Sequence, residues 1–267
     1  MKDLDDHKKI AVLIDADNAQ YSKVKAILDE ISAHGHIVIK RAYGDWSSDN
    51  LKNWKKSLNE LAIQPVQQFA YTTGKNSTDA SMIIDAMDLL YSKRFDAFAL
   101  VSSDSDFTKL AARLREDEKF VFGFGERKTP TPFRKSCDDF IFTENLGGDD
   151  ESAQVKAAGK PKEAASKKSL NDPAELIPLL TKAWEQFQDD SGWANASAAG
   201  SFLKRSMPDF DPRSYGAAKF SHLLESLKGK LEIKRKKGNG NQIAYRVKRT
   251  KSQARRQATT SRIEEPA

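Results

Sequence analysis

The sequence predicts a three-layer α/β domain with a mostly parallel sheet, followed by a small domain of three helices and a β-hairpin. Two observations predict the first domain: short apolar runs alternate with helix-like segments, and two of these runs end on acidic residues. A third observation predicts the second domain. After residue 171, segments with helical spacing precede two short strands around Gly238–Asn241, a strong hairpin signal. Three helices and a hairpin are the layout of a winged helix.

The composition limits the classes to which the chain can belong. Its 267 residues allow two modest domains, and a hydrophobic content of 39% indicates polar segments beside the folded parts. No apolar run is long enough to span a membrane, and the first residues lack the pattern of a signal peptide. With Cys137 as the single cysteine, we expect a cytoplasmic protein without a membrane partner or an intrachain disulfide. The net charge of +6 is compatible with binding to nucleic acid.

Strand-like and helix-like segments alternate from residue 8 to residue 146, which we predict to be one domain. The run Ile10–Ile14 is uniformly apolar, as are strands buried on both faces of a parallel sheet. Helical spacing of apolar residues, or further short apolar runs, predicts the other elements. The predicted helices are 21–33, 49–61, 80–91 and 108–115, and the other predicted strands are 37–43, 64–69, 97–101, 119–125 and 139–143.

The composition changes after residue 146. Gly, Asp, Ala, Lys and Ser dominate residues 147–170, which predicts a flexible linker. The second domain is expected at residues 171–248, and residues 249–267 are predicted to form a disordered basic tail. In the second domain the predicted helices are 173–188, 196–205 and 214–228, and the predicted strands are 231–235 and 242–247.

Acidic residues stand at three junctions between elements of the first domain. Asp15 and Asp17 follow the first strand, Asp104 and Asp106 follow a later strand, and Asp79 begins a helix. If those two strands are neighbours, their carboxyl ends bring Asp15 and Asp104 together at the edge where open α/β sheets bind ligands. Two like charges at such a short distance lower the stability of the fold unless a cation lies between them. Oxygen ligands suit Mg²⁺ or Mn²⁺.

Polar neighbours complete this candidate site. Asn18, Ser102 and Ser103 can hold water or phosphate oxygens by hydrogen bonds, and Lys75 can face an incoming phosphate. A cation held by a few carboxylates fits phosphodiester chemistry, because it lowers the pKa of a water molecule and neutralises charge on the phosphorus. Each acidic residue taken alone has another explanation, as a helix cap, a favourable charge in a first helical turn, or a solvated side chain.

Three segments of the first domain form an ordered set of acidic motifs. They are Ile14–Asn18, Thr78-Asp79 with Asp85 six residues on, and Val101–Phe107. Together they resemble the motifs of NYN domains, which are PIN-like, metal-dependent ribonucleases. The resemblance implies a PIN-like fold for residues 8–146. It also implies that the metal-binding and catalytic carboxylates are Asp15, Asp79, Asp104 and Asp106, with Asn18 in a supporting role.

Asp85 also matches the family pattern, but its position on the helix differs from that of Asp79. At 100° per residue the two side chains lie about 120° apart around the helix. A carboxylate on the polar face explains Asp85 equally well. We therefore assign it a supporting role.

The second domain contains a further set of characteristic segments. They are Gly192–Ala194, Phe202–Arg205, the run Pro208–Gly216, Phe220 and Leu223-Leu224. These segments resemble an OST-HTH/LOTUS winged-helix domain over residues 171–248. Members of that family are linked to RNA binding, and some bind proteins. The resemblance therefore implies RNA, single-stranded or structured, as a partner, and it allows a protein partner.

Basic residues at the end of the third helix and on the hairpin point to the same partner. Such a strip attracts phosphate regardless of sequence, whereas the alternative is a solvated hairpin. The candidate RNA-binding residues are Lys75, Lys234, Arg235, Lys236, Lys237 and Arg246. Tyr215 and Tyr245 are candidates for stacking on unpaired bases, although packing in the core or in a turn is favoured for Tyr215 and Trp193.

Together these features predict a Mg²⁺- or Mn²⁺-dependent ribonuclease that hydrolyses RNA phosphodiester bonds and is recruited to RNA by its second domain. Because small PIN-like domains often pair to build a substrate groove, the resemblance also allows a homodimer. Two alternatives stay open. One is a non-catalytic RNA-binding adaptor, and the other is a metal-dependent phosphoryl hydrolase of small substrates.

Overall fold

The computed structural model describes residues 8–68, 77–147, 170–236 and 242–248. They form two units, one with a six-stranded parallel sheet and one with three helices and a three-stranded antiparallel sheet. The predicted fold class, an α/β domain followed by a winged helix, is confirmed. Lys75, Lys237, the hairpin turn, the tail and most of the predicted linker lie outside the described residues.

Each of the six strands predicted for the first unit is present, with bounds that differ by at most two residues. They are β1 (Lys9–Asp15), β2 (His36–Gly44), β3 (Gln64–Gln67), β4 (Ala97–Val101), β5 (Phe120–Gly125) and β6 (Asp139–Phe142). Their order in the sheet is β3-β2-β1-β4-β5-β6. The strand order reverses between β1 and β4, and such a switch point opens a crevice beyond the carboxyl ends of the strands. The register pairs Ile14 with Val101, so Asp15 and Ser102 leave the sheet side by side.

Helices cover both faces of this sheet and produce three layers. They are α1 (Val24–Ser32), α2 (Trp54–Glu60), α3 (Ser77–Tyr91), α4 (Thr108–Glu116) and α5 (Thr131–Ser136). One core, with Trp54, lies on the side of α1 and α2, and the other, with Phe133 and Phe140, lies on the side of α3, α4 and α5. Helix α5 has no counterpart among the predicted elements, because six residues are too few to show a helical period.

The second unit consists of three helices and a small sheet. The helices are α6 (Ile177–Phe187), α7 (Ala196–Ser206) and α8 (Phe220–Ser226), and the strands are β7 (Ala194–Asn195), β8 (Leu231–Lys236) and β9 (Gln242–Val247). The sheet is antiparallel in the order β7-β9-β8. Helix α8 begins at Phe220 and not at Ser214 as predicted, because Gly216, with a φ of 77°, ends a separate 3-10 turn. Within the described ranges, no helix is both long and apolar enough to cross a membrane.

The two tyrosines considered for base stacking belong to the core of the second unit. Tyr245 is fully buried, and its hydroxyl donates a hydrogen bond to the backbone oxygen of Leu180 at 2.8 Å. Tyr215 is buried as well. The stacking role is therefore wrong for both residues, and the preference for packing at Tyr215 is confirmed.

Tight packing around Gly123 gives a test of the first unit. A Cβ atom at this position would lie 2.5 Å from Phe140 Cδ2 and 2.6 Å from Cys137 Sγ, both fully buried. We expect Gly123→Ala to lower the free energy of unfolding by about 2 kcal/mol, as overpacking of a core does. Urea denaturation measures the change. Gly147→Ala is the control, because an added Cβ there meets nothing within 4 Å. Equal losses in the two variants would contradict this packing.

Candidate metal centre

Asp15 is the most buried carboxylate at the carboxyl edge of the parallel sheet. It is the last residue of β1 and is 1% exposed. Its Oδ2 accepts hydrogen bonds from Ser102 Oγ at 2.6 Å and from Asn18 Nδ2 at 2.8 Å. Burial raises the pKa of Asp15, and these two hydrogen bonds oppose the rise. The side chain is thus held in one orientation by the strand next to it and by its own loop.

The other carboxyl oxygen of Asp15 has no such support. Oδ1 is buried and has no hydrogen-bond partner within the part of the chain that the structure describes. Leaving a buried acceptor unpaired costs about 1–3 kcal/mol, and more if the group is charged. A cation bound to Oδ1 would remove that cost. This atom is therefore the clearest structural indication of a ligand site.

Asp104 and Asp106 lie on the turn that follows β4. Asp104 caps the 3-10 turn Ser105–Phe107, with its Oδ1 accepting a hydrogen bond from the backbone N of Asp106 at 2.9 Å. The backbone N of Asp104 donates to Ser102 Oγ at 3.0 Å. Ser102 therefore connects the backbone of Asp104 to the carboxylate of Asp15. The cap anticipated from the sequence is present, and it fixes the direction of the Asp104 side chain.

Asp79 brings a carboxylate from a third element to the same place. It lies in the first turn of α3, and oxygens of Asp79, Asp104 and Asp106 all lie within 4.8 Å of one another. Burial first, and then the negative charges of Asp15, Asp104, Asp106 and Asp17, raise the pKa of Asp79 to about 6. These five aspartates are called the acidic cluster below; Asp15 and Asp17 belong to it through their effect on Asp79 and are not in the group within 4.8 Å. Their mutual repulsion, together with hard oxygen ligands, fits a divalent cation such as Mg²⁺ or Mn²⁺.

Ser103 and Asp17 have hydrogen-bond partners on neighbouring elements. Ser103 Oγ accepts a hydrogen bond from the backbone N of Glu126 at 2.9 Å, so it links the ends of β4 and β5. Asp17 Oδ2 accepts a hydrogen bond from Thr78 Oγ1 at 3.0 Å, which links the end of β1 to the start of α3. Both contacts hold the loops around the cluster in position.

Asp85 shares a helix with Asp79 but is bound elsewhere. Its carboxylate accepts hydrogen bonds from the Arg41 guanidinium and the Tyr43 hydroxyl on β2. It is not part of the group within 4.8 Å that contains Asp79. Burial, and then Asp85, raise the pKa of Tyr43 above its usual range, so the hydroxyl stays protonated. Arg41 and Tyr43 were not among the residues predicted for the site. Their positions, two residues apart on one face of β2, were the available signal.

The described basic candidates of the second unit lie on both faces of the small sheet. Arg235 pairs with Glu225 of α8, whereas Arg246 pairs with Glu232 on the neighbouring strand. Lys234 is exposed, with its ammonium near the ring of Trp193. Lys236 is the last residue of β8, and its side chain is not among those that the structure describes. Side-chain alternation along β8 thus separates the neighbouring residues Lys234 and Arg235.

Comparisons with known families show to which family the chain belongs. The model of the NYN domain matches residues 9–145, and the model of the OST-HTH/LOTUS domain matches residues 171–243. The first match covers slightly more than half of the chain. The chain therefore belongs to the NYN domain family and carries an OST-HTH/LOTUS domain after the NYN domain. Both resemblances drawn from the sequence motifs are confirmed.

Three similar proteins have names that state no activity. An uncharacterized protein of Methanocaldococcus jannaschii is 31% identical over 122 residues, which are 44% of this chain and 47% of the relative. The chain thus spans about half the length of the curated relative it matches. A solved protein of unknown function from Vibrio parahaemolyticus has 20% identity and a TM-score of 0.43, covering 52% of this chain and 94% of that one. A solved uncharacterized protein from Nitrosomonas europaea has 27% identity and a TM-score of 0.28, covering 36% of this chain and 92% of that one.

The raised pKa of Asp79 predicts how stability without metal depends on pH. Folding disfavours the ionised carboxylate, and this cost is complete above about pH 6 and disappears below the ordinary pKa of 3.8. In EDTA, we expect Asp79→Asn to raise the free energy of unfolding by about 1 kcal/mol at pH 7, after allowance for solvent screening. At pH 4 the gain should nearly vanish.

Urea denaturation of the variant at both pH values measures this effect. Asp88→Asn is the matched control, because Asp88 is an exposed carboxylate on the same helix outside the group around Asp79. It should not change stability in this pH-dependent way. A gain from Asp79→Asn that is the same at pH 7 and pH 4 would contradict repulsion within the acidic cluster.

Proposed function

We propose that the protein is a metal-dependent ribonuclease that hydrolyses RNA phosphodiester bonds at the acidic cluster. The observation that carries the proposal is the buried Oδ1 of Asp15, without a hydrogen-bond partner among the described residues. The group of Asp79, Asp104 and Asp106 supports it, because the negative charge of Asp15 contributes to the raised pKa of Asp79 in that group. Membership of the NYN family, which the motifs relate to PIN-like ribonucleases, supports the same activity. The ligand atoms are hard oxygens, which favours Mg²⁺ or Mn²⁺ over softer cations.

Each aspartate has a distinct role in this proposal. Asp15 and Asp104 hold the principal cation, while Asp79 and Asp106 complete the cluster and position the attacking water. The cation would supply Lewis acidity and neutralise the charge that develops on the phosphate. Ser102 acts as a positioning residue, because its hydroxyl donates to Asp15 and accepts from the backbone of Asp104.

The second unit is proposed to bring RNA to this cluster. Its match to the OST-HTH/LOTUS domain and the exposed Lys234 support an RNA-binding role. Because both domains are on one chain, binding by the second raises the local concentration of RNA at the first. The proposed location is the cytoplasm, which agrees with the buried free thiol of Cys137.

Cleavage of labelled single-stranded RNA tests the proposal. We expect hydrolysis by the wild type with Mn²⁺ and none in EDTA. Asp15→Asn and Asp104→Asn should each lower the single-turnover rate at least about 100-fold, because each removes a negative ligand that stabilises the transition state through the cation. Asp88→Asn, outside the group around Asp79, should cleave at the wild-type rate.

The two alternatives predict other outcomes of the same assay. Equal cleavage rates in the wild type and both variants would contradict a catalytic role of the acidic cluster. Tight, salt-sensitive RNA binding without metal-dependent turnover would favour a non-catalytic adaptor. Faster hydrolysis of p-nitrophenyl phosphate than of RNA would instead favour a phosphoryl hydrolase of small substrates.

A further inference from the structure

The outer face of the small sheet carries a tryptophan that is partly exposed. Trp193 directly precedes β7, where Ala194 pairs with Tyr245 of β9. Both of these partners are fully buried, so they mark the inner face of the sheet. Because side chains alternate along a strand, Trp193 and Arg246 lie on the outer face, and so does Lys234 of β8.

Two cationic groups lie against the indole ring of Trp193. Arg246 Cζ is 5.0 Å from the ring centroid, and Lys234 Nζ is 5.8 Å from it. The guanidinium of Arg246 is oriented by its ion pair with Glu232. Ala244 lies opposite Lys234 in the sheet and is small, so it does not separate the lysine from the ring. We call Trp193, Lys234 and Arg246 the Trp193 platform.

We propose that the Trp193 platform binds single-stranded RNA by stacking an unpaired base on the indole ring and placing neighbouring phosphates near Lys234 and Arg246. This deepens, and rests on, the proposed recruitment of RNA by the second unit. Aromatic rings stack on any base, and basic groups beside them follow the backbone, which is how single strands are bound without sequence preference. A duplex would not fit, because its base faces are already stacked.

Helix α8 is a poorer surface for RNA than the Trp193 platform. Its seven residues contain no Lys or Arg, and Glu225 on this helix binds the Arg235 side chain. The platform instead combines an aromatic ring with two basic groups on one face. An acidic peptide would use the charges but would not need the ring. The accessible part of Trp193 therefore favours RNA over a peptide.

The affinity of the full chain for a fluorescein-labelled twelve-nucleotide oligouridine, measured by anisotropy in EDTA, tests this platform separately from cleavage. Trp193→Ala should weaken binding about tenfold, the loss expected for one stacked base. Trp193→Phe should stay within about twofold of the wild type, because a phenyl ring still stacks. Lys234→Gln should reduce the slope of log affinity against log salt concentration by about the amount expected for one phosphate contact. The charge-matched control Lys182→Gln, on the exposed side of α6, should change neither quantity.

Several results would contradict RNA binding at the Trp193 platform. They are an unchanged affinity in Trp193→Ala, an equal loss in Trp193→Phe, or a wild type that does not bind the oligouridine. Displacement of the RNA by polyglutamate at equal charge would show that the surface recognises acidic chains. A wild type that binds through Trp193 but cleaves no RNA with Mn²⁺ would support the platform and contradict only the nuclease.

Discussion

Carboxylates repel one another in the region where β1, β4 and the first turn of α3 meet, and the contacts around them keep them close together. Burial and four neighbouring aspartates raise the pKa of Asp79 to about 6, while one oxygen of Asp15 is buried without a hydrogen-bond partner among the described residues. Helix capping alone would not need these charges, since Ser or Asn caps equally well. A divalent cation would turn the repulsion into attraction, which supports the proposed metal centre.

The order of the strands explains why the charges meet. Because β1 and β4 are neighbours at the point where the strand order reverses, the helices that follow them, α1 and α4, lie on opposite faces of the sheet, and a crevice opens beyond the carboxyl ends of the two strands. Ser102 then joins the two strand ends, since its hydroxyl contacts both Asp15 and the backbone of Asp104. The end of β1 thus carries Asp15, and the contacts of Asp17 and Ser103 connect the neighbouring loops to this edge of the sheet.

Local patterns in the sequence were sufficient for the fold class and for the acidic residues at the strand ends. The individual hydrogen bonds between distant segments were not predictable, because they depend on register: Ser102 meets Asp15 across 87 positions, and Asp85 meets Tyr43 across 42. The aromatic residues show the same limit. A tyrosine in a basic strand suggested base stacking, yet alternation places Tyr245 inside the second unit. That alternation also places Trp193 outside, which sequence spacing alone did not reveal.

Anomalous diffraction from crystals of the full chain grown with Mn²⁺ tests the metal centre most directly. The account predicts a manganese peak at the acidic cluster, at a coordination distance of about 2.1 Å from oxygens of Asp15, Asp79 and Asp104, with Asp15 Oδ1 among them. Crystals of Asp15→Asn should lose this peak. Wild-type crystals with no peak at the cluster, and with Asp15 Oδ1 bonded only to water, would contradict the account.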